Sequence, residues 1–260
     1  MNRLSPFWSE RHTVYVEPFA GSACLFFELA PAAAVLGDTN SELIELFEVV
    51  RDDPSNLHER LCRLERDLDT YKHWRSLDPS SMDPNTRALR FLYLNRNCFN
   101  GIYRTNAKGQ FNVPMGSKLA ANIQREELIR CSEMLKNVKL IRGDFMDTLQ
   151  HVGMNNFVYL DPPYAVSSRR IFKEYGKKIF DVADIERFSA GLNNIHKKKA
   201  DFLVSYADCK EARALAKDWN SFRFSVRRNV AGFAGARRNA YEWLITNCPI
   251  DRPELLSWPN

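Results

Sequence analysis

The residues Asp161-Pro162-Pro163-Tyr164 follow directly on the apolar run Phe157-Val158-Tyr159-Leu160. Average residue usage gives this tetrapeptide roughly one chance in a thousand in a chain of this length. A carboxylate beside two rigid prolines offers hydrogen-bond acceptors at a fixed place, and the neighbouring ring can stack on a planar partner. A stiffened turn would explain the prolines, but not a carboxylate and an aromatic at the open end of a strand. A second group, Glu17-Pro18-Phe19-Ala20-Gly21-Ser22-Ala23, lies between a strand-like run and a helix expected over Cys24 to Leu29. Its small residues let backbone approach a ligand closely, and the helix start presents N–H groups. Asp38 ends the next apolar run, where a carboxylate can accept from both hydroxyls of a ribose. A tight strand–helix turn followed by an exposed Asp fits the same residues.

Such side chains need a sheet to position them. Short runs at Val14–Glu17, Ala34–Asp38, Leu140–Asp144, Phe157–Asp161 and Phe202–Ser205 predict buried strands of a mostly parallel sheet, several with an acidic residue at the carboxyl end. Ligands of such sheets lie beyond those ends. From Ser41 to Lys136 the pattern changes to helix. Apolar residues recur at Leu43, Leu46, Phe47 and Val50, and again at Leu57, Leu61, Leu64 and Leu68; Pro84 suits the start of a helix running through Leu89 and Leu92. The Asn-, Gly-, Lys- and Pro-rich stretch from Tyr103 to Gly116 predicts a hairpin or loop. This region is expected to be a helical insertion in an α/β domain. Towards the end, a helix is expected over Lys210 to Trp219. Alternation at Arg223–Arg227 and Glu242–Thr246 around the segment Ala231-Gly232-Phe233-Ala234-Gly235 predicts a terminal antiparallel hairpin with a basic loop.

Composition excludes several classes. Hydrophobic residues at 45% and charged residues at 27% of 260 argue against disorder. Thirty-seven Lys and Arg against 32 Asp and Glu leave +5, which permits an anionic partner without demanding one. The basic residues gather at Lys197–Lys199, expected as a solvated helix end, and at Arg227-Arg228 and Arg237-Arg238. The six cysteines, Cys24, Cys62, Cys98, Cys131, Cys209 and Cys248, form no C-x-x-C pair. No metal site is therefore expected, and free thiols fit a reducing compartment. Met1 to Thr13 carries no apolar h-region, and no apolar run reaches about 18 residues. A cytoplasmic protein without a membrane span is expected, and a monomer, since no oligomer seam is visible.

Taken in order, these segments resemble the DNA adenine-N6 methyltransferases of the Dam type, the D12 class. The similarity rests on EPFAGSA from Glu17, LGDTNSELI around Asp38, LYLNRNCFNGIYRTNAKGQFNVPMG from Leu92 to Gly116, and DPPY. It continues in the aromatic stretch Phe172, Tyr175 and Phe180, and in VRRNVAGFAGARRNA from Val226. The resemblance implies a Rossmann-like S-adenosylmethionine-dependent methyltransferase sheet, with residues 1–40 and 137–260 as the catalytic domain. Residues 41–136 would then be the inserted DNA-recognition region with its β-hairpin.

The resemblance also implies roles. S-adenosylmethionine is expected against Glu17, Phe19, Gly21, Asp38, Asp144 and Asp161. The exocyclic amine of adenine is a poor nucleophile because its lone pair is delocalised into the ring. Asp161 and the Pro162 carbonyl would accept its two N–H groups, and Tyr164 would stack on the base once it leaves the duplex, at a cost of a few kcal/mol. No protein nucleophile is required; C5-cytosine methylation would call for an activated Cys, typically after Pro, and no Pro-Cys dipeptide occurs. Double-stranded DNA is the expected partner, probed in the major groove by the hairpin. There Arg104 would pair with a guanine and Ile102 touch a thymine methyl, while Phe99 and Asn100 fill or flank the space left by the flipped base and Pro114 also contacts DNA. Arg227, Arg228 and Arg237 would meet phosphates, although a solvated basic loop also explains them. The family's usual Lys-Trp-Ala-Gly-Gly-Lys-like opening has no counterpart in Met1-Asn2-Arg3-Leu4-Ser5-Pro6-Phe7-Trp8. Weaker donor contact, and no assigned reader for the outer base pair of a GATC site, are expected from that difference. N4-cytosine or RNA methylation, and a catalytically impaired DNA-binding protein, stand as alternatives.

Overall fold

A computed structural model describes residues 4–106, 108–163, 182–227 and 239–249. The chain alternates strand and helix. It opens with β1 (Val14–Glu17), α1 (Cys24–Leu29) and β2 (Ala34–Asp38). A helical stretch follows: α2 (Ser41–Asp52), α3 (Pro54–Cys62), α4 (Leu68–Ser76), α5 (Pro84–Asn97) and α6 (Arg125–Leu135), then β3 (Val138–Arg142). The remainder holds α7 (Phe145–Leu149), β4 (Asn156–Leu160), α8 (Val182–Lys197), β5 (Asp201–Ala207), α9 (Lys210–Leu215), β6 (Asn220–Arg227) and β7 (Asn239–Thr246).

The described residues form two compact units: 4–37 with 144–163, 182–227 and 239–249, and 38–143. In the first, strands follow the order β2-β1-β4-β5-β7-β6. The first four are parallel, paired as Glu17↔Leu36, Val16↔Val158 and Leu160↔Val204. β7 runs antiparallel to β5 (Ala207↔Glu242) and to β6 (Arg227↔Asn239). The carboxyl ends of β1, β4 and β5 therefore share one edge, and the end of β6 and the start of β7 reach that same edge. Burial explains why the central runs are apolar throughout: all of β4, Asn156 included, is buried, as are Phe202, Leu203 and Val204 of β5. The opposite edge is closed by the buried ring of His12, which faces Asp201 at 2.9 Å and accepts from the Ser9 N–H at 3.0 Å.

The second unit packs α2 against α5, α6 and β3. α2 begins where the Asn40 side chain accepts from the Glu42 and Leu43 N–H groups, and its expected stripe, Leu46, Phe47 and Val50, is buried. Asp83 caps α5 through Thr86 N, with Pro84 at the first helical position.

Three expectations shift by local chemistry. The spacing of Leu57, Leu61, Leu64 and Leu68 is broken: Leu57 and Leu61 lie in α3, Leu64 in the bend after it, and Leu68 opens α4, because Asp67 accepts from Asp69 N and Thr70 N and starts that helix afresh; Leu68 is 52% exposed. β3 stops at Arg142, since Asp144 is the cap of α7 and accepts from Met146 N at 3.0 Å. α9 stops at Leu215 and β6 begins at Asn220, so the helix expected as far as Trp219 is cut short. In the basic run, Lys198 is also not simply solvated: its Nζ donates to the Val152 carbonyl at 2.9 Å.

One packing detail yields a stability test. A Cβ on Gly37 would meet Thr148 Oγ1 at 1.9 Å, so β2 and α7 approach only because residue 37 has no side chain. The same hydroxyl is buried with no hydrogen-bond partner among the described residues. Thr148→Val replaces that orphan with a methyl of similar shape and is expected to raise stability by about 1 kcal/mol. Urea unfolding followed by circular dichroism measures it; a destabilised variant would mean the hydroxyl is satisfied.

Candidate active site and recognition hairpin

Asp161 is the first residue beyond β4 and is exposed, while Pro162 behind it is buried. The register Leu160↔Val204 places Asp161 beside Ser205 of β5, whose Oγ donates to Asp161 Oδ1 at 2.9 Å. The same hydroxyl lies 2.9 Å from the Tyr159 phenol. Sequence reasoning missed Ser205 and Tyr159 as partners. The available signal was a lone hydroxyl at the carboxyl end of an apolar strand, Leu203-Val204-Ser205.

Of the cofactor candidates, Glu17 ends β1 and is buried; the Tyr15 hydroxyl donates to its Oε2 at 2.9 Å. That contact and burial push the Tyr15 phenol well above its ordinary range, desolvation contributing most. After Glu17 the chain turns through Gly21 at φ +47° and Ala23 at φ +49°, and among the described residues no atom beyond its chain neighbours lies within 4 Å of where a Gly21 Cβ would stand. Ala20 N donates to the Gly37 carbonyl at 2.8 Å, which pins the turn to β2. Phe19 stacks on Phe145 with centroids 5.3 Å apart, and Phe188 leans on both at 6.2 Å.

Asp38 closes β2, half-buried, with Oδ1 accepting the Asn40 N–H at 2.8 Å. Asp144 carries more than the sequence predicted. Besides capping α7 it pairs with Arg187, whose guanidinium also bonds Asp184 at 2.7 Å and sits 5.0 Å from the centre of the Phe145 ring. These partners hold the Arg187 guanidinium above its ordinary range, its hydrogen bond to Asp144 first.

The second unit builds the predicted hairpin on α4 and α5. Its base is closed by Gly116 N to the Asn97 carbonyl and Phe99 N to the Pro114 carbonyl, both 2.9 Å, and by the Cys98↔Met115 bridge. Further out the Thr105↔Phe111 bridge pairs, so among the described residues the region is two isolated bridges rather than a continuous ladder. Its stiffness comes from packing. Phe111 and Val113 join Tyr71, Tyr93, Leu94 and Cys98 in one buried cluster, and the Tyr71 hydroxyl donates to the Val113 carbonyl at 3.0 Å. Burial pushes the Tyr93 phenol up to about 12 and the Cys98 thiol up to about 11, as expected for groups that stay neutral.

Beneath the hairpin lies a polar group that the sequence did not announce. Arg90, 3% exposed, donates to the Trp74 carbonyl at 3.0 Å and the Arg75 carbonyl at 3.3 Å, and faces Glu42 at 3.5 Å. The Tyr103 hydroxyl donates to the other Glu42 oxygen at 3.5 Å. Desolvation pushes the Glu42 carboxyl up and the Arg90 guanidinium down, against their mutual attraction.

The predicted reading residues are thus presented differently from one another. Phe99 is 39% exposed on a tight 3-10 turn in which Asn100 takes φ +54° and Gly101 φ +64°, and Asn95 Nδ2 holds the Gly101 carbonyl at 3.1 Å. Pro114, joined to Phe99 through the backbone, is exposed. Arg104 bonds Asn112 Oδ1 through Nε at 2.9 Å, and Asn112 N returns a bond to the Arg104 carbonyl at 3.1 Å. Ile102 is half-buried against the aromatic cluster. Tyr164, Phe172, Tyr175, Phe180, Arg228, Arg237 and the 231–235 segment lie outside the described residues; Arg227 is the last residue of β6. Among the described residues no group of His, Cys, Asp and Glu could hold a metal ion, and no helix is long and apolar enough to cross a membrane.

The sequence is similar to those of known proteins. The family profile described as D12 class N6 adenine-specific DNA methyltransferase matches residues 3–230. The chain is 35% identical over 248 residues to the type II methyltransferase M1.LlaDCHI of Lactococcus lactis subsp. cremoris, covering 92% of this chain and 87% of that one. It is 32% identical over 253 residues to the type II methyltransferase M.MjaIII of Methanocaldococcus jannaschii, covering 90% and 88%. To the DNA adenine methylase of Escherichia coli K12 it is 29% identical over 239 residues, covering 90% and 86%. With an α/β sheet of mostly parallel strands, a carboxylate at the end of its central strand and a profile match over nearly the whole length, the chain belongs to the D12 class of N6 adenine-specific DNA methyltransferases.

Proposed function

We propose that this enzyme methylates N6 of adenine in a GATC-like site of duplex DNA, drawing the methyl group from S-adenosylmethionine and taking the target base out of the helix. The observation that carries the reading is the Asp161 carboxylate, held by Ser205 at the carboxyl end of β4. S-adenosylmethionine supplies an electrophilic methyl on a sulfonium. The residues present fit such a donor: the turn after β1 passes through Gly21 at a positive φ that suits a residue without a side chain and exposes backbone to a ligand, and Glu17, Phe19, Asp38 and Asp144 stand on or just after strand ends. Asp144 and Arg187 keep α7 and Phe145 in place. Asp161 and the Pro162 carbonyl accept the two N–H groups of the adenine amine and localise its lone pair, and Tyr164 stacks on the extruded ring. Phe99, Asn100, Ile102, Arg104 and Pro114 face the DNA, and Arg227, Arg228 and Arg237 neutralise phosphates. The protein is proposed to act as a monomer in the cytoplasm.

The decisive test is incubation with methyl-labelled S-adenosylmethionine and duplexes differing by single bases from GATC, followed by nucleoside analysis. Label in N6-methyladenine from GATC alone supports the reaction and the site. Label in adenine from other sites removes the GATC assignment, and binding without label would favour an impaired enzyme. Asp38 tests the donor site separately. Asp38→Ala is expected to weaken S-adenosylmethionine binding by about 1.5–3 kcal/mol, the worth of hydrogen bonds to a charged group. Isothermal calorimetry measures it, and an unchanged Kd would move the ribose contact elsewhere.

A further inference from the structure

We propose that Tyr159 and Ser205 form a directed hydrogen-bond relay that orients the Asp161 carboxylate for methyl transfer, with Ser205 as the positioning residue. The inference deepens the proposed function and rests on its assignment of Asp161 as the acceptor of an adenine N–H. The direction of the relay follows from proton counting. An ionised carboxylate only accepts, so the 2.9 Å contact between Ser205 Oγ and Asp161 Oδ1 uses the hydroxyl's single proton. Ser205 must then accept from its other neighbour, and the Tyr159 O–H, 2.9 Å away, donates. The sequence Tyr159 O–H to Ser205 O–H to Asp161 is thus fixed in one sense, each bond polarising the next.

The relay stands on rigid ground. Tyr159 is only 7% exposed, and Ser205 follows directly on the last β4–β5 pair, Leu160↔Val204, and is itself paired with Leu244 of β7. Tyr159 and Asp161 are two residues apart, so strand alternation sends both side chains to the same face. The exposed carboxylate lies beyond the last paired residue of its strand, so the strand ladder does not set its orientation. A hydroxyl anchored in the sheet fixes which oxygen faces inward and therefore how the carboxylate presents itself to an N–H group.

The test compares steady-state methylation by Ser205→Ala, Ser205→Thr, Tyr159→Phe and the Ser205→Ala/Tyr159→Phe double variant of the full chain. Ser205→Ala should lower kcat by about tenfold to a hundredfold, the worth of one charge-assisted hydrogen bond, with KM for both substrates and the melting temperature unchanged. Ser205→Thr, which restores a hydroxyl on a β-favouring residue, should recover most of that loss. Tyr159→Phe should lose less, and nothing further in the Ser205→Ala background, because its effect passes through Ser205. Wild-type kcat in Ser205→Ala, an equal loss in the Ala and Thr variants, or additive losses in the double variant would each overturn the relay. Asp161→Asn separates the two levels: if it is inactive while Ser205→Ala is normal, only the relay fails, and if it is fully active the assignment of Asp161 fails first.

Discussion

Asp161→Asn loses methyl transfer by at least about a hundredfold to a thousandfold, the range seen when one group aimed at developing charge is removed, while the protein stays folded. The amide is nearly the same shape as the carboxylate, so sterics change little. The electrostatics change entirely. Only one oxygen remains to accept, and the new NH2 donates. If the Ser205 hydroxyl retains the amide oxygen, the NH2 faces the substrate amine, two donors oppose each other, and the amine lone pair is no longer drawn towards the methyl donor. Folding is spared because Asp161 is exposed and lies past the β4 ladder, where substitutions shift stability by about 0.5 kcal/mol or less. The measurement is single-turnover methylation beside a thermal melt. Loss of activity together with a lowered melting temperature would demote Asp161 to a structural residue, and full activity would end the mechanism.

Much of this site was legible because strand ends are written locally. The runs ending at Glu17, Asp38 and Leu160 are β-branched and apolar with turn residues directly after them, and their boundaries hold within one residue. What the sequence hid are the contacts set by pairing. Ser205 is 44 residues from Asp161 and meets it only through the β4–β5 register. Arg90, 48 residues from Glu42, sits inside an otherwise apolar helix pattern, and only the folded unit shows it satisfied by the Trp74 and Arg75 carbonyls. An acidic residue after Leu140-Ile141 fits both a strand end and a helix cap; Asp144 is the cap, since its carboxylate reaches Met146 N. The Leu57–Leu68 stripe misled for a similar reason. Helical periodicity continues in phase across Asp67, but a side chain that can bond two N–H groups starts a new helix there.

The second large effect concerns specificity. Arg104→Ala is expected to cost about 1–3 kcal/mol on the preferred site and to relax preference at one base pair. The structural argument lies in how the guanidinium is held. Asn112 Oδ1 takes Nε across the hairpin and sets the plane of the fork, and Asn112 N bonds the Arg104 carbonyl, so side chain and backbone are fixed by the same residue. A planar fork fixed in this way matches guanine O6 and N7, whereas a phosphate contact would tolerate a loose arginine. Asn112→Ala should accordingly reproduce part of the Arg104→Ala loss at the same base pair while leaving other positions untouched. Arg237 supplies the contrast. If it meets a phosphate, Arg237→Ala weakens binding to every sequence alike and lowers the salt slope by about one unit. Binding titrations across single-base variants of GATC at several salt concentrations read both effects together. Should Arg104→Ala weaken all duplexes equally and flatten the salt dependence, the guanidinium serves the backbone, and base reading passes to the neighbouring Phe99, Asn100 and Pro114 surface.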